Sequence, residues 1–177
     1  MTVRPGRPDD LPALLALNNA AAPAVNELTP ARFAELVALA DRLLVAEVDS
    51  GRPVGFVLAL TGPGAAYESV NYRWFERRGR PFLYVDRVVV SPDFEGRGVA
   101  RAFYQALAAR AGEVGLPVLC AEVNVAPRNE RSLRFHARFG FLPVGEQDTE
   151  GGAKRVALLE LAIGGRRGEP GELSSRR

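Results

Sequence analysis

The chain has 177 residues, of which 47% are hydrophobic and 25% charged, a composition that suits one domain with a single buried core. It contains no run of 18 apolar residues and no signal-peptide pattern in MTVRPGRPDD, so we expect a cytoplasmic protein that does not enter a membrane. Four of the 23 basic and two of the 21 acidic side chains lie in residues 164–177, which leaves 19 of each in the body; this balance argues against binding to nucleic acid.

The first 60 residues predict two helices and a hairpin. Thr29 followed by Pro30 is typical of a helix N-cap and first helical position. Two apolar, β-rich runs on either side of the turn sequence 49–53 are typical of an antiparallel hairpin. The predicted elements are a strand at Val3–Arg4, a helix from Asp9, a helix from Pro30 to about Arg42, and strands over Leu43–Val48 and Val54–Leu60.

Residues 61–80 predict a long irregular connection, because glycine and proline are followed by a cluster of aromatic residues. Long loops between strands often carry specificity. The aromatic side chains are candidates for one wall of a ligand pocket, and the alternative is that they pin the loop to the core. They are Tyr67, Tyr72, Trp74 and Phe75.

Phe82–Val90 predicts a strand that is buried on both faces, since it is rich in β-branched and aromatic residues and has no helical period. Pro92 ends this strand because proline cannot donate the next ladder hydrogen bond. From Gly98 onward apolar residues recur every four positions, which predicts an amphipathic helix that Gly112 or Gly115 closes.

Between this strand and helix, Glu95–Ala100 forms a short glycine turn. Backbone N–H groups at the start of a helix can converge on an anion, and the helix dipole adds to the attraction. The turn therefore predicts a phosphate or pyrophosphate site, and the alternative is an ordinary loop that begins a helix. A nucleotide P-loop is excluded because the only lysine is Lys154, and a dinucleotide fingerprint is excluded because the third glycine is absent after Gly98.

Val118–Val125 predicts a further strand, with Cys120, Glu122 and Asn124 on one face. The polar pair Glu122 and Asn124 indicates a cleft or a sheet edge, and the alternative is an ordinary solvent face. Cys120 is the only cysteine and cannot form an internal disulfide, so we expect a reduced, packed thiol.

Asn129 and Gly140 are typical of the N-cap and the C-terminal stop of a last helix. At 100° per residue, His136 shares a sector with Phe135 and Phe139, which places the only histidine of the chain beside apolar core residues. The remaining predictions are strands at Leu142–Gly145 and Val156–Leu161, one domain over residues 1–163 and a disordered tail over residues 164–177.

Two of these segments match the motifs of one protein family. Gly98 and Ala100 match a motif that follows a strand and a proline-containing turn, although Glu95 stands where glutamine or arginine is usual. The second motif is matched by Asn129, Ser132, Phe135-His136 and Gly140-Phe141. On these residues the chain, from Val3 to Ile163, resembles the GCN5-related N-acetyltransferase (GNAT) superfamily.

The resemblance implies an α/β (α+β) fold, the three-layer acyl-CoA N-acyltransferase fold, with a mixed, mostly antiparallel sheet flanked by helices. The strands Phe82–Val90 and Val118–Val125 would splay apart to admit the pantetheine arm of acetyl-CoA, whose amides satisfy the free backbone groups of Val88 and Val90. The phosphates would lie on the glycine turn. The implied cofactor contacts are Val88, Val89, Val90, Glu95, Gly96, Arg97, Gly98, Val99, Ala100, Arg101, Asn124, Asn129 and Ser132.

The resemblance also implies a reaction, the transfer of an acetyl group from acetyl-CoA to a primary amine by direct attack, without a metal. The acceptor would be a small-molecule or peptide amine. Such a reaction needs a base, donors to the oxyanion and an acid for the thiolate. Asp86 is the candidate base and Glu122 the reserve; the alternative is that Asp86 pairs structurally with an arginine. Alternation along the strand is expected to place Asp86 on one face with Tyr84, Val88 and Val90.

His136 stands where the family usually has the tyrosine that protonates the thiolate, and the alternative is a packed structural histidine. The resemblance implies the backbone N–H of Val90 as oxyanion donor and a homodimer as the oligomeric state. The predicted acceptor contacts are Tyr72, Trp74 and Tyr84. Because Glu95 and the missing tyrosine depart from the family, a CoA-binding sensor module with weak or no catalysis remains the alternative function.

Overall fold

The computed structural model describes residues 1–48 and 51–164. Its helices are α1 (Leu11–Ala20), α2 (Pro30–Leu39), α3 (Val70–Glu76), α4 (Val99–Glu113) and α5 (Glu130–Phe139). Its strands are β1 (Thr2–Pro5), β2 (Arg42–Glu47), β3 (Pro53–Gly62), β4 (Phe82–Val90), β5 (Val118–Ala126), β6 (Leu142–Thr149) and β7 (Lys154–Ala162). The predicted disordered tail lies, apart from Gly164, outside the described residues.

The strands form one sheet in the order β1-β2-β3-β4-β5-β7-β6. Every neighbouring pair is antiparallel except β4 and β5. This parallel pair joins only Leu83 to Leu119 and Tyr84 to Cys120. Beyond these residues β4 and β5 have no ladder pairing, so the sheet opens between them towards their C-terminal ends. The predicted mixed, mostly antiparallel sheet is confirmed.

A β-bulge interrupts β4 at Asp86. Arg87 lies opposite Leu58 of β3 and Val85 lies opposite Ala59, so Asp86 is an extra residue on β4. The bulge reverses the alternation that follows it: Tyr84 packs in one core cluster, whereas Val88 and Val90 pack against another. The predicted common face for Asp86, Tyr84, Val88 and Val90 is therefore wrong, because the bulge separates Tyr84 from the two valines.

Helices cover both faces of the sheet. Phe103 and Leu107 of α4 are fully buried in the cluster on one face. On the opposite face Leu14 of α1 and Phe33 of α2 pack with Phe56 of β3. Burying a side chain of this size stabilises the fold by about 1.5–3 kcal/mol, so apolar contact holds the three layers together.

The segment between β3 and β4 contains a helix, α3, that the sequence pattern did not predict. Ser69 caps it, because the Ser69 Oγ accepts a hydrogen bond from the Tyr72 N–H at 3.3 Å. Tyr72 and Phe75 are fully buried against Phe82 and Tyr84. Aromatic burial thus holds this segment on the core.

Most predicted boundaries differ from the observed ones by one or two residues, and the differences at α2 and β6 are larger. Helix α2 ends at Leu39 rather than near Arg42, because Arg42 pairs with Ala59 as the first residue of β2. Strand β6 continues past Gly145 to Thr149, because it pairs with β7 along its whole length. Among residues 1–48 and 51–164, no helix combines the length and apolar character needed to cross a membrane.

Candidate functional site

Two cavities meet where β4 and β5 separate. The first, called here the glycine-turn cavity, has a volume of about 750 Å³ and is lined by the end of β4, the turn before α4 and one side of α5. The second, the polar cavity, has a volume of about 520 Å³ and is lined by the start of α3, the middle of β4 and β5, and the β6–β7 turn. Several residues line both cavities: Ala24, Val25, Val88, Tyr104, Asn129, Ser132 and His136. A ligand in one cavity can therefore reach a ligand in the other.

The turn before α4 has the backbone shape that an anion site requires. Gly96 and Gly98 adopt φ angles of +74° and +85°, in the left-handed region that favours glycine. No side chain caps α4, and the N–H groups of Val99 and Ala100 have no acceptor among the described residues. These free donors and the dipole of a 15-residue helix point towards a negatively charged ligand.

Arginine side chains surround the same cavity. Its basic lining residues are Arg101, Arg131, Arg134 and Arg138. Among the described residues Glu95 is the one carboxylate that lines it, and its Oε2 accepts a hydrogen bond from Arg131 of α5. The unusual Glu95 is thus neutralised by an arginine across the cavity, so its charge opposes a phosphate less than the sequence alone suggests.

Most of the predicted cofactor contacts line the glycine-turn cavity, with two exceptions. The Arg97 side chain is not among the lining residues and stacks on Phe94, with its guanidinium carbon 5.2 Å from the ring centroid. Asn124 lines the polar cavity instead. Asn129 lines both cavities while its Oδ1 caps α5 by accepting a hydrogen bond from the Ser132 N–H at 3.0 Å.

Asp86, the candidate base, lies in the polar cavity with both carboxylate oxygens occupied. Its Oδ1 accepts a hydrogen bond from the Tyr67 hydroxyl, and its Oδ2 accepts one from Arg87 Nε at 2.6 Å. The Asp86 side chain is 4% exposed and that of Arg87 9%. This geometry is the structural arginine pair that the sequence left as an alternative, and it leaves Asp86 poorly placed to accept a proton.

Glu122, the reserve, is in a different state. Its Oε1 accepts a hydrogen bond from the Tyr84 hydroxyl at 2.8 Å, whereas its Oε2 is buried and has no partner among the described residues. Burial, helped by the Asp86 charge, raises the pKa of Glu122 to about 8, although the Tyr84 hydrogen bond and the Asn71 side chain act in the opposite direction. A carboxylate with a free oxygen and a pKa near neutrality is suited to accept a proton.

His136 is 5% exposed and both of its ring nitrogens are engaged. Nδ1 lies 2.8 Å from the Ser132 carbonyl oxygen, which can only accept, so Nδ1 carries the hydrogen. Burial lowers the pKa of His136, so the ring is neutral and Nε2 accepts a hydrogen bond from the Tyr104 hydroxyl at 2.7 Å. In this arrangement His136 has no proton to give towards the cavity, which argues against its predicted role as an acid.

Tyr104 is a candidate that the sequence analysis missed. It follows Phe103 in an amphipathic helix, where periodicity alone assigns it to the core. Its ring packs among Phe135, Phe139 and Phe141, yet the residue lines both cavities. Burial raises the pKa of Tyr104, so its hydroxyl stays protonated. No local sequence signal separates this tyrosine from a packing residue.

The three residues predicted to contact the acceptor line neither cavity. Tyr72 and Tyr84 are fully buried and line neither cavity, because their rings pack in the aromatic core. Trp74 also lies outside both cavities and packs on Gly145, where an added Cβ would lie 2.5 Å from the indole. Tyr67 is the aromatic residue of this segment that lines the polar cavity. Cys120 is 1% exposed, which confirms the packed thiol.

Comparison with known proteins gives a consistent picture. The model of the acetyltransferase (GNAT) family matches residues 12–141. A comparison with curated proteins found no match.

Many solved structures share the fold. Arabidopsis thaliana NAA60 in complex with acetyl-CoA is 19% identical, with 92% of this chain and 99% of that chain covered and a TM-score of 0.74. The ribosomal-protein-S18-alanine N-acetyltransferase from Escherichia coli is 18% identical, with 95% and 96% covered and a TM-score of 0.69. An N-acetyltransferase from Staphylococcus aureus Mu50 is 21% identical, with 92% and 98% covered and a TM-score of 0.70. At these identities the likeness shows a common fold.

Proposed function

This chain belongs to the acetyltransferase (GNAT) family, and we propose that it transfers an acetyl group from acetyl-CoA to a primary amine by direct attack on the thioester. The observation that carries the proposal is the junction of the two cavities at the opening between β4 and β5. One cavity offers an anion site and the other offers a carboxylate with a raised pKa. A thioester at the junction would lie between them.

Acetyl-CoA would occupy the glycine-turn cavity. Its diphosphate fits the free N–H groups of Val99 and Ala100, and the surrounding arginines add positive charge. From Val85 to Val90 the edge of β4 that faces β5 has no strand partner within the part of the chain that the structure describes. The amides of the pantetheine arm could pair with this edge as a substitute strand. In this position the Val90 N–H is the proposed oxyanion donor.

The acceptor amine would enter the polar cavity and lose a proton to Glu122. Glu122 Oε2 takes the proton from the ammonium group, and the resulting neutral amine attacks the thioester carbon. Since the pKa of Glu122 is raised to about 8, roughly a tenth of the carboxylates are ionised at pH 7. The rate should therefore rise with pH until about pH 8.

The leaving group does not require His136 as an acid. A thiol has a pKa of about 8.5, so its thiolate is a fair leaving group near neutral pH. The C–S bond breaks as the tetrahedral intermediate collapses, the attacking nitrogen gives up its second proton to solvent, and the thiolate takes a proton from solvent in turn. His136 would then act by fixing the orientation of the Tyr104 hydroxyl at the junction.

A thiol-release assay with acetyl-CoA and a panel of primary amines tests the proposal. We expect free CoA to appear only when an amine is supplied, and Glu122→Gln to abolish most of that release. Glu146→Gln, an exposed carboxylate on β6, is the matched control and should behave like wild type.

Calorimetry with acetyl-CoA on the same samples separates the remaining outcomes. Binding without turnover across the panel would favour a CoA-binding sensor module. Absence of binding to both acetyl-CoA and CoA would refute the assignment of the glycine-turn cavity.

A further inference from the structure

A chain of buried polar side chains runs from the bulge on β4 to two separate segments of the molecule. In one direction Asp86 binds the Tyr67 hydroxyl, in the segment before α3. In the other, Arg87 Nη1 donates to Asn18 Oδ1 of α1 at 2.9 Å. Asn18 is fully buried, and its Nδ2 donates to the Asn26 carbonyl at 3.0 Å. The Asp86–Arg87 ion pair is the centre of this chain.

The α1–α2 connection is held by a second asparagine in the same network. Asn18 Nδ2 also donates to Asn19 Oδ1 at 2.9 Å. The Asn19 side chain in turn binds both backbone groups of Leu28, accepting from its N–H at 2.9 Å and donating to its carbonyl at 3.0 Å. Residues 21–29 contain no helix or strand, so these side-chain bonds replace the regular backbone pairing that the connection lacks.

The two segments reached by this chain both line the polar cavity, and they are called here its two walls. One wall is formed by Ala24, Val25 and Asn26, and the other by residues 67–71. The ion pair between them belongs to β4, in the middle of the sheet, and is almost inaccessible to solvent. A rigid strand thus carries the attachment points of both walls.

We propose that Asp86 and Arg87 are positioning residues that fix the two walls of the polar cavity and so set the fit of the acceptor. The proposal rests on the proposed function only in assigning this cavity to the acceptor. It gives a reason for the bulge, because the extra residue allows Asp86 to reach Tyr67 while Arg87 reaches Asn18. Neither side chain takes part in proton transfer.

Amide hydrogen exchange on the free protein tests the attachment without any substrate. Arg87→Lys keeps the charge but loses the planar fork that contacts Asp86 and Asn18 together. We expect exchange in residues 24–28 to become at least about tenfold faster at Leu28, whose N–H donates to Asn19 Oδ1, with residues 65–69 little changed. Tyr67→Phe should give the reverse pattern. Arg110→Lys, in the separate ion pair with Asp41, is the matched control and should change neither segment.

Steady-state kinetics on the same variants tests the link to the acceptor. Arg87→Lys and Tyr67→Phe should each raise the acceptor KM by about tenfold, while kcat stays within about twofold of wild type. The Kd of acetyl-CoA should also stay within about twofold in Tyr67→Phe, because residues 67–71 line the polar cavity and not the glycine-turn cavity. If wild type shows no turnover with any amine, the proposed function fails, but the exchange experiment still decides the role of the ion pair.

Three results would overturn the positioning role. The first is unchanged exchange in residues 24–28 of Arg87→Lys, and the second is a fall in kcat without a change in acceptor KM. The third is a general loss of stability. A single variant leaves one charge buried without its partner and can loosen the whole fold. The double variant Asp86→Asn with Arg87→Gln removes both charges, and an equal rise of exchange across the whole chain in that variant would contradict attachment of these two walls in particular.

Discussion

Replacement of Glu122 by glutamine is the most informative single change, because the structure predicts opposite effects on activity and on stability. Glutamine keeps the size and the hydrogen-bonding oxygen for Tyr84 but cannot accept a proton. General bases contribute about 10²–10⁴ to rate, so we expect kcat/KM to fall by at least about a hundredfold. The loss should be greatest above pH 8, where most wild-type carboxylates are ionised.

The effect of the same change on stability follows from the raised pKa of Glu122. Burial raises this pKa from 4.5 to about 8, so the folded state binds the proton more tightly than the unfolded state does. The stabilisation is fully present below about pH 4.5 and is lost as the pH rises through 8. At 1.36 kcal/mol for each unit of pKa, the loss amounts to at most about 5 kcal/mol. Glu122→Gln removes this dependence.

Two measurements on one protein preparation check the prediction. Thermal unfolding should give a higher Tm for Glu122→Gln than for wild type at pH 8.5 and equal values near pH 4. The pH dependence of kcat/KM should lose its rise towards pH 8 in the variant. If the variant keeps this rise with a wild-type rate, the rise belongs to the amine and Glu122 is not the base.

Four further changes test other parts of the site. Asp86→Asn should lower the free energy of unfolding in urea by about 3–5 kcal/mol, because it leaves the buried Arg87 without its partner. A variant that unfolds like wild type but whose kcat/KM no longer changes with pH would instead make Asp86 the base. Glu95→Gln should lower the Kd of acetyl-CoA roughly two- to fivefold in calorimetry. The change frees Arg131 from an exposed ion pair worth about 0.2–1 kcal/mol, so that its guanidinium can bind a phosphate. A higher Kd would mean that the ion pair organises the site. Gly98→Ala should weaken acetyl-CoA binding about tenfold, because an L side chain at φ +85° costs about 1–2 kcal/mol, and unchanged affinity would show that the turn does not hold the phosphates. His136→Phe should reduce the free energy of unfolding by about 1–3 kcal/mol through the unpaired Tyr104 hydroxyl, with the pH–rate profile unaltered; a shifted profile would restore His136 to proton transfer.

Local sequence patterns located most of the elements and the glycine turn before α4. Phe82–Val90 and Val99–Glu113 follow from β-branched composition and a four-residue apolar repeat, and both lie where the pattern predicts. The glycines at 96 and 98 predicted a short turn before the helix, and the structure gives both of them positive φ angles. These features depend on residues close together in the chain, so their physical causes can be read from the amino-acid sequence.

Which of the two carboxylates is suited to act as the base depends on contacts between distant parts of the chain. Asp86 and Glu122 are both acidic residues in predicted strands, and nothing local distinguishes them. The register between β3 and β4 creates the bulge that pairs Asp86 with Arg87. One oxygen of Glu122, beside the opening between β4 and β5, is buried with no hydrogen-bond partner in residues 1–48 and 51–164. Burial raises the pKa of Glu122 and the arginine pair occupies Asp86, and both follow from the packing of the sheet.

Tyr104 shows the same division between what the sequence determines and what the tertiary structure decides. Its place on an apolar helix face follows from the sequence, but its role at the junction of two cavities depends on where α5 puts His136. Composition and periodicity thus determined the helices, strands and glycine turn, because short-range sterics and hydrogen bonding govern them. Tertiary structure alone decided which polar groups are paired, which are free and which face a common cavity, because desolvation and hydrogen-bond partners come from elements far apart in the chain.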